Sequence, residues 1–188
     1  MELTKVLVTY ATREELVRID WEDVQTAYLL TGVGKMKSAY YLSDAIDKMQ
    51  PDCVINIGTA GTVRHNVGDI FVCRSFIDRD MQKLKDFGVS FRVDVPLYEK
   101  MLPACFYTHA GQCNTGDAFL MADEPFDGDV CDMESYAQAF VCADKKVPFV
   151  AVKFVTDVIG RNSVAIWQDK LAEAQKALYA FVNGKEKE

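Results

Sequence analysis

A chain of 188 residues, 49% apolar, is long enough to bury one sizeable core, and it contains no charge-free run of the length that spans a bilayer. The formal net charge of −7, with no basic cluster set against it, argues against nucleic acid and anionic membrane surfaces as partners. The opening MELTKVLV places acidic Glu2 before a short apolar run and lacks a basic leader, so a soluble, cytoplasmic protein is expected.

Six cysteines stand at 53, 73, 105, 113, 131 and 142, and no two have the C-x-x-C spacing of a zinc or redox site. His65 and His109 are the only histidines, too few for a catalytic metal centre or a His-based triad. No cofactor is expected, and any catalysis falls to carboxylates.

In chain order, Thr4–Tyr10 is an apolar, β-branched strand, followed by Thr12 and Glu15 at the S/T-x-x-E spacing of a capping box. A second strand covers 26–31. Gly32-Val33-Gly34 then leads into a helix carrying Leu42, Ala45, Ile46 and Met49 on one face, ended by Pro51. Cys53–Ile57 reads as a buried strand that runs into a small-residue turn, Gly58–Gly61. Strands follow at 70–73 and 76–77, with weaker signals at 89–95 and 104–108. Asp132 reads as the N-cap of a helix bearing Met133, Tyr136, Ala137, Phe140 and Val141. The strand FVAVKFV follows Pro148, and a long helix from Val164 to Val182 sets Trp167, Leu171, Ala174, Leu178 and Phe181 on one face. Residues 185–188 are expected to fray. The alternation predicts a single α/β domain over residues 1–188, with a mixed, mostly parallel sheet flanked by helices and a ligand site beyond the strand ends.

Gly32-Val33-Gly34-Lys35 has the start of a dinucleotide-binding pattern, but Lys37 replaces its third glycine, so the glycines read as a tight strand-to-helix turn. A dinucleotide-dependent oxidoreductase rests on that incomplete pattern alone. Five segments taken together are more specific: TGVGK (31–35), NIGTAG (56–61), TGDAF (115–119), DMES (132–135) and PFVAVKFVTDV (148–158). In order and spacing the chain resembles the purine nucleoside phosphorylases and the methylthioadenosine or adenosylhomocysteine nucleosidases.

The resemblance implies a purine nucleoside as ligand and a role for each segment. Cleaving the C–N bond develops positive charge on the sugar and negative charge on the base, so a general acid and a stabilised oxocarbenium-like sugar are required. Asp157 matches the family acid that bonds the purine and protonates N7. Glu134 matches the acid that accepts from the ribose hydroxyls, with Met133 against the sugar. Glu15 matches the glutamate that activates water. Phe119 and Leu120 stand where the family stacks and reads the base, Thr59, Ala60 and Gly61 form the sugar- and base-side loop, and Thr156 adjoins the acid. From the residues alone other readings stay open: Asp157 as a cap, Glu134 as a first-turn glutamate favoured by the helix dipole, Glu15 as the last member of a capping box, and Phe119 as core.

Phosphorylases of this family hold phosphate with two arginines, one of them just before the NIGTAG-like loop. Here that position is Asn56, and only Arg13 offers a substitute. Water is therefore the expected nucleophile, and a homodimeric adenine-type nucleosidase the expected protein. A phosphorylase and a nucleoside-binding protein without catalysis are the rivals. The stretches 80–115 and 120–132 are shorter than in typical members, and Gly160 replaces a common acidic residue, which leaves the 5′-substituent open.

Overall fold

The computed structural model describes residues 3–95, 101–121, 124–160 and 163–185. Strand β1 (Lys5–Tyr10) pairs in parallel with β2 (Gln25–Leu30) on one side and with β3 (Cys53–Thr62) on the other. Helix α1 (Lys35–Met49) makes the crossover between β2 and β3. Strand β4 (Ile70–Asp78) runs into the short helix α2 (Arg79–Gln82), and β5 (Arg92–Asp94) closes an antiparallel edge against β4. Strands β6 (Ala110–Thr115) and β7 (Val130–Asp132) precede helix α3 (Ser135–Asp144), strand β8 (Phe149–Val158) and helix α4 (Ser163–Val182).

The eight strands form one mixed sheet ordered β2-β1-β3-β7-β6-β4-β5, while β8 pairs with both β3 and β4. Strands β3, β8, β4, β6 and β7 thereby close on one another, in parallel except at β3–β7 and β4–β8. The expected single α/β domain with a mixed, mostly parallel sheet is what the chain forms. No helix among the described residues is long and apolar enough to cross a membrane.

Period-two alternation explains why both faces of the central strands are apolar. Val6, Val8, Ile55, Ile57, Val150, Val152 and Phe154 face α4, where Ala174, Leu178 and Val182 cover them. Leu7, Val54, Phe149, Ala151 and Val155 point the other way, toward Leu42 and Ile46 of α1 and Ala139 of α3. On β8 the second set is odd-numbered, and Lys153 falls within it, fully buried on the α3 side.

Three local expectations change. Gly58–Gly61 is not a turn but the second half of β3, paired to β8 with a register shift at Ala60/Gly61. Small side chains let this strand continue between two acidic groups, as described below. Residues 104–108 form a 3-10 turn at Ala104–Tyr107 instead of a strand. Pro103 opens it, Phe106 plugs into the core, and Tyr107 Oη accepts from the N–H groups of Met101 and Leu102. Asp132 does not cap α3 from the adjacent position; it ends β7, and Glu134 is the residue at the cap. Strands β6 and β7 gave no signal, because AGQCNT is polar and small and VCD is too short for a period. Residues 186–188, expected to fray, lie outside those described.

Candidate active site

Beyond the ends of β1, β3 and β8 lies a cavity of about 290 Å³, and all ten residues singled out from the sequence line it: Glu15, Thr59, Ala60, Gly61, Phe119, Leu120, Met133, Glu134, Thr156 and Asp157. Each is placed there by a different local device.

Glu15 sits on a single 3-10 turn, Arg13–Glu15, directly after β1, and is buried. Its Oε1 accepts from Thr59 N–H at 2.9 Å and from Thr59 Oγ1 at 2.6 Å. Its Oε2 accepts from Thr12 N–H at 3.2 Å and Thr12 Oγ1 at 3.3 Å. The capping box read from the sequence is present, and the same carboxylate also lines the cavity. One oxygen is fixed by short bonds to β3, while the other closes the capping box through two long ones.

Glu134 precedes α3, and its Oε1 accepts from the N–H of Gly34 at 3.0 Å. Gly34 has φ of +100°, a conformation an L side chain rarely adopts, so the GVGK turn aims an amide at a carboxylate a hundred residues away. No described residue bonds Oε2 of Glu134. Burial, and next the adjacent Asp132 carboxylate, push the Glu134 carboxyl up to about 8, against the opposing pull of Lys153 and the Gly34 amide. A raised native pKa stabilises the fold below the unfolded value, near 4.5, and that contribution is lost as pH rises toward about 8. Glutamine in its place does not titrate. Thermal melts of Glu134→Gln should therefore gain on the wild type by several degrees between pH 5 and pH 8.5, at about 2–4 °C per kcal/mol, while parallel curves would show that Glu134 is not a strained acid.

Beneath Glu134 lies a buried ion pair. Asp132 Oδ2 and Lys153 Nζ are 2.7 Å apart, each side chain 2% exposed. Burial by itself would raise the acid and lower the amine, but each charge outweighs the other's desolvation, so Asp132 is held below the usual carboxylate range and Lys153 above the usual amine range. Asp132 also accepts from Thr115 Oγ1 at 2.6 Å and from the N–H and hydroxyl of Ser135, which ties the TGDAF segment to α3.

Asp157 lies near the end of β8, just past the bulge at Ala60/Gly61 that re-aims it. Its Oδ1 accepts from Thr156 Oγ1 at 2.9 Å, and the same hydroxyl lies 3.3 Å from the Ala60 carbonyl. Oδ2 has no bond among the described residues. It lies 3.3 Å from where a Cβ on residue 61 would stand, and that Cβ would be 2.8 Å from Ile159 Cδ1, so only glycine leaves this corner open. Leu120 is buried in the wall, whereas Phe119 is 60% exposed at the mouth, which disposes of ordinary core packing for that ring.

Several wall residues were not foreseen. Trp167, read as a core-facing residue of α4, lines the cavity instead and donates from Nε1 to Thr59 Oγ1 at 2.8 Å. Arg79 is buried, donates to the Ala118 carbonyl and Asn114 Oδ1, and has no ion pair among the described residues. Its apolar flanking strand had hidden it, and only the DRD charge pattern after Ile77 could have drawn attention to it. Arg13, the substitute phosphate ligand weighed from the sequence, is exposed and outside the cavity wall.

Comparison with known proteins agrees with this architecture. The 5′-methylthioadenosine/S-adenosylhomocysteine nucleosidase of Bacillus velezensis is 27% identical over 179 residues, covering 82% of this chain and 77% of that protein. That of Bacillus pumilus is 29% identical over 178 residues, with the same coverage. Among solved structures, the Neisseria meningitidis nucleosidase in complex with methylthio-immucillin-A superposes with a TM-score of 0.80 at 21% identity, over 96% of this chain and 97% of that one. The futalosine hydrolase of Helicobacter pylori gives 0.81 at 16%, over 95% of each. A family model described as "Phosphorylase superfamily" matches residues 5–184, and with nearly the whole fold and the cavity wall inside that match, the chain belongs to the phosphorylase superfamily.

Proposed function

We propose that this chain is a nucleosidase that hydrolyses the N-glycosidic bond of an adenine-type nucleoside, of the methylthioadenosine or adenosylhomocysteine kind, to free base and a ribose derivative. The observation that carries the reading is the sharing of one cavity by Glu15, Glu134 and Asp157, two of which keep a carboxylate oxygen free of any described partner. In the reaction the C1′–N9 bond breaks with its electron pair leaving on the purine, and Asp157 delivers a proton to N7. Glu134 and Met133 hold the ribose, and water adds to C1′ while Glu15 takes its proton. Two relatives of nearly 30% identity that carry the name of this nucleosidase support the substrate class.

Water is favoured over phosphate on electrostatic grounds. The nucleophile's side of the cavity presents the Glu15 carboxylate, Arg13 is exposed, and Arg79 is engaged with the base-side Ala118 carbonyl. Incubating the purified protein with a panel of nucleosides, with and without phosphate, tests this directly. Adenine released from methylthioadenosine in phosphate-free buffer is the expected result; release only with added phosphate would make the protein a phosphorylase, and tight binding without release a nucleoside-binding protein.

A cytoplasmic homodimer accompanies this reading. Met36 and Tyr40 of α1 and Phe140 of α3 are well exposed, and α1 and α3 pack together, giving an apolar face for a second copy. Light scattering after gel filtration should give twice the 21.1 kDa chain mass.

A further inference from the structure

Trp167 donates from its indole Nε1 to Thr59 Oγ1 at 2.8 Å, and Thr59 Oγ1 stands 2.6 Å from Glu15 Oε1. The direction of this chain is fixed by the chemistry of its members. An indole N–H can only donate, and a threonine hydroxyl has a single proton. With the tryptophan occupying an acceptor site of Thr59, the hydroxyl is confined to pointing its proton at the Glu15 carboxylate, which is the short contact observed. Nothing else among the described residues bonds the Thr59 hydroxyl.

The elements involved are far apart in sequence: Glu15 follows β1, Thr59 lies in β3 and Trp167 in the first part of α4. Helix α4 is anchored independently of the cavity, with Ala174, Leu178 and Val182 buried against the sheet. The same helix carries Trp167 two turns before Ala174, where its indole reaches Thr59. We propose that Trp167 is a positioning residue for the reaction, acting through Thr59 to hold Oε1 of Glu15 and so to leave Oε2 as the oxygen that meets water. The proposal rests on the reading of Glu15 as the water base.

Trp167→Phe keeps an aromatic ring in the cavity wall and removes the N–H together with part of the bicycle. The expected result is a kcat lower by about tenfold, the scale of one hydrogen bond, with KM and the Kd of a non-hydrolysable methylthioadenosine analogue within about twofold of wild type. A residue that merely lines the cavity would move KM and Kd instead. Thr59→Val supplies the second measurement, because it removes the hydroxyl through which the indole acts. In a double-mutant cycle, Trp167→Phe should then cost nothing further on the Thr59→Val background. An unchanged kcat, a loss confined to KM, or a loss that adds in full on Thr59→Val would each overturn the relay. Glu15→Gln separates this from the parent reading: retained turnover there removes Glu15 as the base whatever Trp167 does, whereas a dead Glu15→Gln beside an unaffected Trp167→Phe removes only the relay.

Discussion

Asp157→Asn is expected to lower kcat for nucleoside hydrolysis by about 10²–10⁴-fold, the usual contribution of a positioned general acid, while the Kd for the nucleoside changes by less than about tenfold. Asparagine keeps the shape of the side chain and can still accept from Thr156, whose hydroxyl bonds Asp157 Oδ1 at 2.9 Å. What it loses is the ability to carry a proton to the purine from the oxygen beside Gly61. Steady-state kinetics with methylthioadenosine, together with equilibrium binding of the same nucleoside to the variant, provide the measurement. Near-wild-type kcat would remove Asp157 as the acid, and a loss of binding alone would make it a recognition residue.

The second large effect is on stability. Asp132→Ala leaves the fully buried Lys153 ammonium without its carboxylate at 2.7 Å and withdraws the acceptor of Thr115 and Ser135. Breaking such a pair from one side costs about 3–5 kcal/mol, because the remaining charge stays desolvated. For a chain of this size that lowers Tm by about 6–20 °C. The double variant Asp132→Asn with Lys153→Met buries no lone charge and should recover part of the loss, so thermal melts of the three proteins form the test. A single variant as stable as the double would show that the pair is not what holds β7 to β8. The sign with pH follows from the same pair: Asp132 is held below its ordinary value of 3.8, so its contribution is present above that value and is lost as pH falls below it.

These two residues also mark how unevenly the site could be read in advance. Asp157 was visible because it follows an apolar β-branched strand within a motif. Asp132 read as a helix cap, since a lone acid before an amphipathic run is explained by local chemistry alone. Its partner Lys153 stood in the middle of FVAVKFV, where a single charge gave no hint of what faced it. The answer required β7 and β8 to be placed on opposite sides of β3. Gly58–Gly61 read as a turn for a similar reason. Four small residues favour turns locally, but here their smallness serves a strand squeezed between Glu15 on one side and Asp157 on the other.

By itself the sequence determined the elements with strong periods: the buried strands at Val6–Val8, Cys53–Ile57 and Phe149–Val155, and the helices that cover them. Period and apolar burial are local properties, so they survive without knowledge of the partner. Tertiary structure alone decided that Trp167 of α4 reaches Thr59, that Gly34 reaches Glu134 across a hundred residues, and that Arg79 is buried beside the cavity. Hydrogen bonds between distant segments depend on strand order and on a bulge in one strand pairing, and neither leaves a trace in the spacing of residues along the chain.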